Sequence, residues 1–150
     1  MNKALLLTAI LGCTVAGTSL AGTYEWTSGF TQGVTENMVD DGNGNDLNIS
    51  CPSDESESLS AYATIAGKAY ASTSDSGGFD VIVDGELYSN PFYTDCNVCN
   101  ENFPSFWEAL LKANNLQLSA GGKTVNLPTK NLKQVLRPLN HKDNACRSTW

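Results

Sequence analysis

The chain has little positive charge in its first two-thirds and almost no histidine. Between residues 22 and 101 it carries fourteen Asp and Glu against a single cation, Lys68, and His141 is its sole imidazole. A formal net charge of −7 and a pI near 4.5 argue against nucleic acid as a partner, because phosphate binding needs basic side chains. No Ser-His-Asp order, H-E-x-x-H pair, P-loop or carboxylate pair with defined neighbours is present. The sequence therefore offers no catalytic residue. Past the first two dozen residues, no apolar run approaches the ~20 residues needed to span a bilayer. Internal repeats are also lacking.

What is present begins with a leader. Lys3 precedes an apolar stretch from Ala4 to about Val15, and Ser19-Leu20-Ala21 follows with small side chains at −3 and −1. This reads as a signal peptide over residues 1–21 with cleavage after Ala21, placing one domain, residues 22–150, in the periplasm or outside the cell. The rival is acylation of Cys13 after Ile10-Leu11-Gly12. Cleavage at Ala21 reduces five cysteines to four: Cys51, Cys96, Cys99 and Cys146. An even count in an exported chain implies disulfides, and four cysteines allow three connectivities.

Cys96 and Cys99 form a C-x-x-C pair with three readings. A thiol–disulfide centre needs its first Cys at a helix N-terminus, where the dipole favours thiolate. The next helix signal, Pro104-Ser105 with Glu108 as a capping box, comes about nine residues after Cys96. Asp95 and Glu101 would also raise a thiol pKa. Zinc could draw on Cys96, Cys99, His141 and Cys146, but would orphan Cys51 in an oxidising compartment. The remaining reading makes Cys96–Cys99 a local clasp and Cys51–Cys146 a long tie to the C-terminus, with Cys51 to Cys96 or Cys99 as open alternatives. No metal or other cofactor is expected.

The fold expected is α+β: a β-rich antiparallel domain with one or two short helices, stabilised by disulfides. Alternating apolar residues mark strands at "DLNISC", "LSAYATIAGKAYA", "GFDVIVDGELY" and "NLQLSAGGKTVNL". Asp84-Gly85 is a two-residue hairpin signal and Ala120-Gly121-Gly122 a second turn. Helices are expected over "FWEALLKA" and over "TKNLKQVL", the latter ending near Pro138. The acid-rich "DDGNGND" starts like a calcium loop, yet Asp46 stands where Gly belongs and Pro52 where Glu belongs, so it reads as a polar turn.

Charge patterning points to a protein partner. Residues 102–150 reverse the acidic balance, with seven Lys and Arg against Glu108 and Asp143. Such halves either neutralise each other in the fold or present an acidic face to a basic partner. The candidate contact residues are the acids Asp80, Asp84 and Glu86 around the hairpin and the loop aromatics Phe92 and Tyr93.

Tyr24-Glu25-Trp26, Asp40-Asp41, "LNISC", the middle strands, "FPSFWEALLKANNLQL" and Cys146 before a terminal Trp150 occur in an order that resembles one group. It is the small exported accessory proteins of type VI secretion systems, of the TagO or VasI kind. The resemblance spans most of the chain after the leader. It implies a binding or accessory role without catalysis and carries over no functional residue. Small periplasmic β-domains that inhibit enzymes share similar spacings.

Overall fold

The computed structural model describes residues 23–73 and 77–147. The leader, with Cys13 and the Ala21 cleavage site, and the terminal Trp150 lie outside the described residues. The fold class is the expected one, antiparallel β with short helices, and the strands divide into two sheets.

The first sheet is a five-stranded meander: β1 (Thr27–Thr31), β2 (Val34–Asp40), β3 (Asp46–Pro52), β4 (Ser60–Ile65) and β5 (Lys68–Ala71). Side-chain alternation divides it into two faces. Leu47, Ile49 and Cys51 of β3 point inward with Ala61, Ala63 and Ile65 of β4, all buried. The stretch "LSAYATIAGKAYA" keeps the expected alternation from Leu59 to Ile65 and then turns back, through a turn the sequence did not mark. The segment is a hairpin, because Ala66 and Gly67 adopt φ of 50° and 80°, the mirror-image turn that matches strand twist. β1 and β2 were not anticipated by the sequence reading.

The second sheet has order β7-β6-β8-β9, from β6 (Asp80–Val83), β7 (Glu86–Tyr88), β8 (Leu116–Ala120) and β9 (Lys123–Leu127). Asp84 and Gly85 make the expected hairpin turn, both with positive φ, and Gly121-Gly122 makes the other. Between β7 and β8 the chain forms α1 (Asn97–Glu101) and α2 (Phe103–Lys112); α3 (Leu132–Val135) follows β9.

The core lies where the inward faces of both sheets meet α2, with β4 against β8 and β9. α2 inserts Phe103, Phe106, Trp107 and Leu110 on one face, the i, i+3, i+4, i+7 spacing of an amphipathic helix. Phe106 meets Phe92 edge-on, ring centroids 5.1 Å apart. Phe92 is therefore core, 1% exposed, and its candidacy as a contact residue is withdrawn. Full burial of a Phe contributes about 1.5–3 kcal/mol, which the loop loses if that ring turns outward. The two described tryptophans pin the segment after β9. Trp26 Nε1 donates to the Pro128 carbonyl at 3.1 Å and Trp107 Nε1 to that of Arg137 at 2.8 Å.

The cysteines pair as the long tie and the local clasp, Cys51–Cys146 and Cys96–Cys99. All four sulfurs are engaged in these bonds. The long tie is buried, and the Asn37 amide points at it, Nδ2 lying 3.5 Å from Cys146 Sγ and 3.8 Å from Cys51 Sγ.

Candidate functional site

Around the local clasp the surface opens into a groove of about 420 Å³. One wall is β7 and the loop that leaves it, with Glu86, Leu87, Tyr88 and Tyr93; the other is Cys99 of α1 and Asn102 and Ser105 of α2. β7 is a short edge strand, and among the described residues no further strand lies on its outer side. Tyr88 forms the half-buried floor, its ring 5.2 Å from that of Phe106. Burial first, and then the neighbouring Glu86 carboxylate, push the Tyr88 phenol above its ordinary pKa, so it stays a neutral hydrogen-bonding group.

The C-x-x-C pair occupies a place the sequence reading did not assign. Cys96 is the N-cap of α1, in extended conformation (φ −139°, ψ 152°), and its sulfur accepts from the Cys99 N–H at 3.1 Å. The expectation that Cys96 sits in a loop remote from any helix is thereby corrected. Asn-rich "NVCNE" is a poor helix former, but a disulfide between positions i and i+3 matches one helical turn. The clasp supplies what propensity lacks. The capping-box expectation is also corrected: α2 begins at Phe103, two residues before Ser105, with Asn102 at its cap. Ser105 Oγ instead donates to the Asn102 carbonyl at 2.9 Å.

The hairpin acids do not converge. Asp84 accepts from the backbone N–H of Asn115 at 2.8 Å and of Asn114 at 3.1 Å, tying the hairpin turn to the chain entering β8. Those bonds hold its carboxyl below the usual carboxylate value. Asp80 accepts from Ser89 Oγ at 2.9 Å and the Asn90 N–H at 3.2 Å, folding the loop back onto β6. Both are structural braces. Glu86 and the partly exposed Tyr93 alone reach the groove, so two of the five proposed contacts meet there.

"DDGNGND" is the polar turn expected, joining β2 to β3. Asp41 accepts from the N–H of Asn43 and Asn45 and from the Asn45 amide at 2.7 Å. Partial burial alone would raise the Asp41 pKa; these hydrogen bonds outweigh it and lower it.

The sequence reading missed Leu87 and Val98, 61% and 73% exposed beside the clasp. The available signal for Leu87 was period-two alternation. Val81 and Val83 are buried, and Leu87 pairs with Ile82 on the opposite, outward row.

The chain belongs to the YfjT family, whose model matches residues 24–136. No curated protein and no solved structure matches it.

Proposed function

We propose that this chain is an exported, non-catalytic protein that acts by contacting another protein through the groove beside the Cys96–Cys99 clasp. The observation that carries this reading is the groove's composition. Solvent-exposed Leu87 and partly exposed Tyr93 stand beside Glu86, against a wall fixed by a covalent clasp. Aromatic and aliphatic anchors with a few polar groups are what a protein interface uses. Export is supported by the signal-like leader and by four cysteines paired with one another. Among the described residues no helix is long and apolar enough to cross a membrane. The resemblance to type VI accessory proteins favours a secretion or cell-envelope system as the setting.

A photo-crosslinking residue at Leu87 should capture a discrete partner in the exported fraction, and the same residue at Asn126, on the far edge strand, should not. Equal capture at both positions, or none at Leu87, would reject the reading.

One observation favours a second reading, a thiol–disulfide protein: Cys96 caps a helix and Cys99 lines the groove. Replacing Cys96 and Cys99 with Ser separates the two. A binding module keeps its Leu87 crosslink, weakened at most, whereas a redox protein loses all activity.

A further inference from the structure

The outward face of the first sheet is built from elements other than those of the groove, and no helix or loop of the described chain packs over its middle. Sheet register aligns Met38, Asn48 and Tyr62 in one row across β2, β3 and β4. Met38 is 42% exposed and Tyr62 49%, the large exposed apolar side chains at the centre of this face. The flanking rows carry Glu36 with Ser50 and Ser60 on one side, and Asp40 with Asp46 and Thr64 on the other. Lys68, the one cation in these five strands, pairs with Ile65 on the inward rows and stands over the Tyr70 ring.

Among the described residues, the carboxylates of this face have neutral partners only. Glu36 accepts from Ser50 Oγ, Asp46 from the Thr64 N–H, and Asp40 from Thr23 and Gly42. Acids elsewhere in the acidic half do reach cations: Glu25 pairs with Lys130 at 2.8 Å and Glu55 with Arg147 at 2.9 Å. The basic half thus neutralises the margins of the first sheet and leaves its open face negative. The side-chain carbonyl of Asn48, between Met38 and Tyr62, is buried and has no hydrogen-bond partner among the described residues.

We infer that this face docks a cationic protein segment, one that alternates Lys or Arg with apolar residues. Its apolar side chains cover Met38 and Tyr62, and its cations meet Glu36, Asp40 and Asp46. Charge complementarity selects the occupant: an anionic membrane or a nucleic acid meets three carboxylates and no cation. The inference rests on reading the chain as a protein-binding module but assigns a second surface, so the two can fail separately.

The probe is a fluorescent peptide alternating Lys and Leu, with a Glu and Leu counterpart as control, titrated into the full mature chain at low and physiological salt. Binding of the Lys peptide alone is expected, weakening as salt rises. The neutral pair Glu36→Gln and Asp46→Asn keeps an acceptor at each position and should weaken it by about tenfold. Tyr62→Ala should weaken it severalfold, and Ser60→Lys, which removes no anchor, should do so as well. Asp54→Asn with Glu57→Gln, on the loop after β3, should leave it unchanged. No binding, equal loss from the loop pair, or indifference to Tyr62 would overturn the inference. Retention of the Leu87 crosslink in the Tyr62→Ala protein shows that the groove stands independently of this outcome.

Discussion

The two disulfides are chemically the same bond and do different things. Cys51–Cys146 joins residues 95 apart in sequence and is buried under the first sheet, whereas Cys96–Cys99 spans 3 positions beside an open groove. In the chain-entropy model the first stabilises the fold by roughly 4–5 kcal/mol and the second by about 2 kcal/mol, because a short loop has little freedom to lose. The long tie acts on the whole molecule by holding the tail against β3. The short clasp acts on one helical turn. Separation in sequence sets how much a cross-link stabilises; its surroundings decide what the stabilisation is for.

That contrast can be broken at its larger end first. Cys51→Ala with Cys146→Ala should lower the unfolding free energy by roughly 4–5 kcal/mol in a denaturant melt. Cys96→Ser with Cys99→Ser should cost at most about 2 kcal/mol, with loss of amide protection confined to α1 and the groove. If both pairs cost the same, loop length is not what distinguishes them. Trp107→Phe removes the indole donor to the Arg137 carbonyl, on the segment leading to Cys146, and should cost about 1–3 kcal/mol. Repeating it without the long tie should change that figure, since both act on the same tail.

Acid should give the smallest effects and tell the two regions apart. Asp40, Asp41 and Asp84 have folded-state pKa values below the ordinary 3.8, the first two because hydrogen bonds outweigh partial burial. Each therefore contributes fully above its unfolded value, and the contribution fades as pH falls through the lower folded value. Amide exchange from pH 5 downward should show Asn43 and Asn45 loosening with the Asp41 turn and Asn115 with Asp84. Asp84→Asn should flatten the second response and leave the first.

Much of the second sheet was legible because its turns carry chemistry. Asp84-Gly85 and Gly121-Gly122 state their φ requirements openly, and the strands between them alternate cleanly. β1 and β2 were not legible. The buried positions of β2 are Asn37 and Val39, and an Asn directed at a disulfide cannot be told from a solvated one without the partner sulfurs. Ala66-Gly67 was missed because Ala is an uncommon first residue for a positive-φ turn. At the site, Glu86 of β7 and Tyr93 of the loop after it were legible as surface residues by being polar or amphipathic. Phe92 was misplaced, because neighbouring loop residues can point opposite ways, and the rings of Phe79 and Phe106 fix which one turns inward. The braces at Asp80 and Asp84 depend on backbone donors far along the chain, about which local sequence is silent.

The spacing of the four cysteines also bears on the order in which their bonds form. Ring closure over three residues is entropically far easier than closure over ninety-five, so Cys96 and Cys99 meet many times before Cys51 first encounters Cys146. Once the near pair has reacted, the far pair has only each other among the described cysteines, and both mispaired connectivities of these four are gone. The small clasp thus works as a chaperone in miniature for the large one: it withdraws the competing thiols during the interval when the tail is still searching for its place.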